Sequence, residues 1–181
     1  MTHWNWWAWG LLALLVFWGI GAYNRVMLLR NAIGAAFAQF DEALTRRIAL
    51  GEQLVTQLRP ILPSEQASYD TLATAQEELR TQLLAARGRP YAADPVAQLA
   101  VSTAVHAAAL TRLVSLVEHQ VLFNPEPTLS EPLDELKLVE RQRGFARQVF
   151  NQAVGAYNEA LQQFPTRVLT SFFSFREART L

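Results

Sequence analysis

The chain has 181 residues, 16 basic and 16 acidic, three histidines and no cysteine, and 51% of it is hydrophobic. That length fits one domain, or one domain with an anchor. Zero net charge argues against a nucleic-acid binder, which carries a basic surplus. The absence of cysteine excludes disulfides, thiolate metal sites, a catalytic thiol and a lipidated N-terminal cysteine.

Residues 1–24 contain no Asp, Glu, Lys or Arg, and all five tryptophans fall there, at Trp4, Trp6, Trp7, Trp9 and Trp18. As a helix, Trp4–Tyr23 spans about 30 Å, the thickness of a bilayer's hydrocarbon core. Trp4, Trp6 and Trp7 at one end and Tyr23 at the other are spaced like interfacial belts. A cleaved signal peptide is the competing reading, but it wants a basic residue ahead of a short apolar core. Residues 1–23 are therefore expected to be an uncleaved single-pass anchor. Arg25, Arg30, Arg46 and Arg47 follow it, which places the body in the cytoplasm by the positive-inside rule.

The rest reads as helix throughout. Val26, Leu29, Ile33, Phe37, Phe40, Leu44, Ile48, Val55 and Leu58 step by three or four, with a gap around Gly51. No proline precedes Pro60, so anchor and first stretch are expected to form one helix that ends there. Ser64 is the expected N-cap of a second helix running to about Arg87 and stopped by Gly88-Arg89-Pro90. Asp94 and Pro95 open a third, alanine-rich helix to about Leu122. The fourth runs from near Ser130 to Phe164, ahead of Pro165. Short connections make sequential neighbours antiparallel. The expected fold is all-α: a transmembrane helix continuing into a long antiparallel four-helix bundle, residues 24–165, followed by a tail, 166–181.

Setting Asn24 opposite Phe164 makes paired residue numbers on the first and fourth helices sum to about 188. In that register Asp41 faces Arg147 and Arg47 faces Glu140. Both are expected to be inter-helix ion pairs that fix register, since losing one buried partner leaves an uncompensated charge. No catalytic, cofactor or metal site is expected. Asp41 and Glu42 are adjacent and point about 100° apart. His3, His106 and His119 lack the Glu-x-x-His spacing of di-iron bundles, and no phosphate-binding loop or nucleophile elbow is present. The aromatics Phe37, Phe40, Phe150, Tyr157 and Phe164 are read as bundle core.

The tail interleaves Phe172, Phe173 and Phe175 with Arg167, Arg176 and Arg179, which suits docking on an anionic membrane surface. Capping of the open base of the bundle, or a partner site, are the other readings.

Two stretches together resemble the LemA family. One is Tyr23-Asn24, Leu29-Arg30-Asn31 and Phe37-x-Gln39-Phe40-Asp41-x-x-Leu44-x-Arg46-Arg47. The other is Glu140, Ala146-Arg147, Phe150-Asn151-x-Ala153-Val154-x-x-Tyr157-Asn158-x-Ala160-Leu161-x-x-Phe164-Pro165, with the aromatic tail. Where this chain has Phe37, Phe150 and Glu52, the family usually has Trp, Tyr and Pro. The resemblance implies a bacterial protein of the cytoplasmic (inner) membrane with no established catalytic activity. The expected function is a non-enzymatic scaffold or adaptor whose partners are the bilayer and either another protein or a second copy. A ligand-binding or envelope-state sensor using helices 2 and 3 is the alternative.

Overall fold

The computed structural model describes residues 5–123, 127–164 and 166–181, and every regular element among them is helical. Trp4 and the side chain of Phe172 lie outside what is described. Helix α1 spans Asn5–Leu58, α2 Gln66–Gly88, α3 Ala93–Phe123, α4 Pro127–Gln162 and α5 Thr166–Phe173. With 54 residues, α1 is roughly 80 Å long. It is one continuous helix because nothing in its sequence breaks it before Pro60.

Side chains on α1 are exposed from Trp6 to Phe17, and Phe17 itself is 74% exposed. Burial begins at Ala22 and Val26, where the other helices start to pack. Among the described residues two helices, α1 and α3, are long and apolar enough to cross a membrane. They differ in what they touch. The apolar start of α1 has almost no protein around it, whereas α3 buries a stripe that includes Leu99, His106, Leu110 and Leu113.

The bundle is two hairpins laid together: α4 packs chiefly along α1, and α3 chiefly along α2. The α1–α4 seam keeps one register along its length. Arg25 donates to Gln163, Phe37 meets Phe150 edge-on at 5.9 Å between ring centres, and Arg47 contacts Glu140. Their residue numbers sum to 187 or 188. Charge sorts the two neighbours of α1. Its arginines 46 and 47 pair with Glu135 and Glu140 on α4. Its acids Asp41 and Glu52 pair with Arg87 and Arg80 on α2.

The gap at Gly51 in the apolar stripe has a packing reason. A Cβ there would stand 2.8 Å from the Gln76 side-chain nitrogen and 3.5 Å from Leu110, so only hydrogen fits without a shift. Gln76 uses the space to donate to the Ile48 carbonyl across the α1–α2 seam.

Some expected details differ. Ser64 does not cap α2; a 3-10 turn, Pro63–Glu65, precedes it, and Glu65 is the N-cap residue, its side chain accepting from the Ser68 hydroxyl and not from a first-turn backbone N–H. Helix α4 starts at Pro127, three residues before Ser130, with Pro132 accommodated in its second turn. Part of the tail is itself a helix, α5, where the sequence predicts no element.

Candidate functional site

Each bundle helix changes apolar core at the same height. Near the anchor, one cluster contains Ile33, Phe37, Phe40, Leu83, Leu99 and Phe150. At the far end, the other contains Leu54, Leu58, Leu72, Leu113, Leu133 and Leu136. Where one cluster gives way to the other, each helix carries polar side chains: Arg47, next to Ile48, on α1, Gln76 on α2, Thr103 and His106 on α3, and Glu140 and Arg143 on α4. They form a polar layer through the middle of the bundle.

Arg47 is 3% exposed. Burial holds its guanidinium below the ordinary value, and the Glu140 carboxylate opposes that shift. Glu140 serves two arginines. One carboxylate oxygen contacts Arg47 Nε, and the other accepts from Arg143 Nε and Nη2 at 3.1 and 2.9 Å. His106 is fully buried, and neither ring nitrogen has a hydrogen-bond partner. Its pKa is pushed down to about 4, first by burial and then by the charges of Arg47, Arg143 and Arg80. The layer is thus two guanidiniums on one carboxylate beside a neutral imidazole.

Of the two ion pairs expected from register, the structure brings Arg47 and Glu140 together. It does not join Asp41 to Arg147. Asp41 instead accepts from Arg87 Nε on α2 through both oxygens, at 3.0 and 2.9 Å. The reason is rotation: six residues advance a helix by 600°, so Asp41 points about 120° away from Arg47. Glu140 and Arg147, seven apart, do share a face, and Arg147 lines a small cavity with Phe40 and Thr103.

At the anchor end the aromatics converge. Trp18 meets Phe164 at 5.0 Å, and Tyr23 meets Phe173 at 5.3 Å and Phe175 at 6.0 Å. Phe164, Val168 and Phe173 stay exposed around the foot of α1, so Phe164 is a rim residue and not core. Arg25 lies at this level, whereas Arg30 turns inward and stacks on Tyr91 of the α2–α3 connection, 3.5 Å from the ring centre. Trp6, Trp7 and Trp9 stand exposed at the opposite end of the apolar stretch.

The tail divides at Ser174, whose φ of 51° ends α5 and turns the chain back. Residues 175–181 then run as an extended strap antiparallel to α4. Asn158 donates to the Ala178 carbonyl at 2.9 Å and accepts the Ala178 N–H at 2.8 Å. Asn151 treats Leu181 the same way, at 3.0 and 2.9 Å. The spacing is metric. Seven helical residues rise about 10.5 Å, and three extended residues cover about 10 Å. Two amides one heptad apart therefore meet every third backbone unit of the strap. Ala178 is buried, and Phe175 and Leu181 pack on the anchor-side core. Of the three Phe in the capping reading, Phe175 packs on the core and Phe173 is exposed, and residues 175–181 cover the side of the bundle along α4 rather than its base. Arg176 and Arg179 remain exposed, with Arg179 about two helical turns up α4 from Phe164 and so away from the foot of the anchor.

A family model described as the LemA family matches residues 36–181. The chain belongs to the LemA family. The match covers the bundle from the middle of α1, together with the strap, and leaves the apolar segment outside it. No curated protein matches the chain. Two of the positions at which this member departs from the usual family residues, Phe37 and Phe150, touch each other, so the two ring changes share one packing site. The third, Glu52, pairs with Arg80. The polar layer and the paired asparagines were not singled out by sequence reasoning. The heptad spacing of Asn151 and Asn158 was the available signal for the strap.

Two outcomes are expected. Trypsin can cut after Arg176 and Arg179 only when the strap lifts. Replacing both Asn151 and Asn158 by Ala removes four hydrogen bonds and should speed that cleavage at least about tenfold; an unchanged rate would contradict the clamp. The second outcome concerns acid. His106 binds a proton near pH 6.5 when unfolded and near pH 4 when folded, so its stabilising effect is complete above 6.5 and is lost as pH falls through 4. The size is about 3 kcal/mol. His106→Leu should therefore flatten the fall of Tm between pH 7 and 4, and parallel curves would show that His106 is not the source.

Proposed function

We propose that this LemA-family member is a single-pass protein of the bacterial cytoplasmic membrane that holds a helical bundle against the inner face as a non-enzymatic scaffold or adaptor. The observation that carries the reading is the exposed apolar run of α1. From Trp6 to Ile20 it is a stretch of charge-free helix with large side chains uncovered, and the same helix continues as the spine of the bundle. Uncovered apolar area of that extent calls for lipid or protein around it.

The base of the bundle suits the same surface. Trp18, Phe164, Val168 and Phe173 form an apolar ring at the foot of the anchor, next to Arg25 and Arg167. Rings placed in the interface, with arginines toward anionic headgroups, fit α5 as an in-plane helix. The strap lies on the bundle instead. The buried Arg47 and the partly exposed Asp41 each pair with a neighbouring helix, through Glu140 and Arg87, which supports a structural role for these charges.

The absence of cysteine makes a direct test available. In the full chain, a single Ala85→Cys on the exposed face of α2 should react with a membrane-impermeant maleimide only after the cells are broken open. Labelling in intact spheroplasts would reverse the orientation. The parent should stay with membranes through an alkaline carbonate wash, while Leu12→Arg with Leu15→Arg should release it; release of the parent would contradict anchoring. From mild detergent it should emerge with a protein partner or a second copy, and a lone monomer would contradict the scaffold.

A further inference from the structure

Because α3 follows α2 and α4 follows α1, a groove is left between α3 and α4. Its anchor-side part is covered by the strap, which reaches Leu181. Beyond Leu181 the groove continues through a small cavity of about 220 Å³ into a larger one of about 590 Å³, and Arg143 lines both. The larger volume falls within the ~300–1,000 Å³ range of small-molecule sites.

The lining of the larger cavity is divided. Leu110, Val114, Leu133 and Leu136 form an apolar floor, and Arg47, Glu140 and Arg143 stand together at the end nearer the strap. With two guanidiniums on one carboxylate, that end carries a surplus positive charge. Arg47 is 3% exposed, and its Nη1 is buried without a hydrogen-bond acceptor. A buried cationic N–H left unpaired is costly, and an anionic group placed beside it offsets that cost.

We propose that this cavity binds a single-chain amphiphile with a carboxylate head, a long-chain fatty acid, with the carboxylate against Arg47 and Arg143 and the alkyl chain over Leu110, Val114 and Leu133. Three features select this chemistry. A planar carboxylate matches a guanidinium fork. Arg47, Lys137, Arg141 and Arg143 line the cavity against Glu118 and Glu140, so the lining as a whole favours an anionic head. An extended peptide needs partners for its backbone, as Asn151 and Asn158 provide for the strap, and among the described residues no Asn or Gln lines this cavity. An alkyl chain has no such groups to satisfy. The inference does not depend on the scaffold reading, and it places a ligand site between α3 and α4 instead of between helices 2 and 3.

The test uses the full chain in nanodiscs of zwitterionic lipid and a palmitate analogue with a mid-chain diazirine. After irradiation, peptides from 107–118 and 133–143 should carry the label, and unlabelled palmitate should compete it away. Arg143→Gln should lower groove labelling about tenfold. Val114→Asp, which sets a like charge on the floor, should abolish it. Unchanged trypsin cleavage at the strap would show that both variants remain folded. Label confined to residues 6–23 would overturn the proposal, as would equal groove labelling by the corresponding fatty alcohol. An alkyl phosphate that displaces the probe better than palmitate would overturn the carboxylate assignment.

Discussion

Arg47 carries a positive charge into the interior of a helical bundle, and the arrangement around it is what accommodates that charge. Desolvating a guanidinium costs several kcal/mol, and the cost is recovered only by a well-placed anion with further polar groups around it. Glu140 provides the anion, and the α1–α4 register is the one that delivers it. Sliding the seam by a single turn would set Arg47 opposite Leu136 or Arg143 instead of Glu140. The pair therefore acts as a register pin more than as a source of net stability. It also divides the interior, since an apolar core cannot continue through it. The two hydrophobic clusters end on either side of the polar layer.

The same logic sorts neighbours. Arginines of α1 face glutamates of α4, and acids of α1 face arginines of α2. Exchanging α2 and α4 around α1 at the same register would set Glu52 against Glu135. Most of these pairs are partly exposed and contribute little stability each. Their effect is on which arrangement forms, because the wrong one is repulsive. The strap adds a second kind of specificity. Paired asparagines read the backbone of 178 and 181, so the strap's position is set by main-chain geometry while its side chains fill the groove beside α4.

Much of this was legible in sequence, and the exceptions have physical causes. Proline spacing and the period of apolar residues mark the helices and their order, and placing the membrane ends of the first and fourth helices together, Asn24 opposite Phe164, predicts a register sum near 188, against 187 and 188 in the structure. The Arg47–Glu140 contact follows from that sum. Asp41–Arg147 was paired by height alone, and the helical rotation that carries Asp41 toward α2 was left out. The polar layer was hidden because its members come from four helices, one or two from each, and no spacing within a single helix marks them. His106 in particular looks isolated along the chain. The turn at Ser174 has no sequence signal, since serine rarely adopts a positive φ. The ends of α2 and α4 shifted by a few residues, as caps and first turns commonly do.

The central claim is that Arg47 and Glu140 act as a unit that fixes the α1–α4 seam. A double-mutant cycle on the full chain, with Arg47→Met and Glu140→Leu measured singly and together by denaturant unfolding, tests it most directly. Glu140→Leu alone should destabilise by about 2–4 kcal/mol, below the fully buried range because Glu140 is partly exposed. The double variant should recover most of that loss, since the buried Arg47 guanidinium goes with its partner and the remaining Arg143 is partly exposed to water. Additive losses, with the double variant weaker than either single one, would contradict the account.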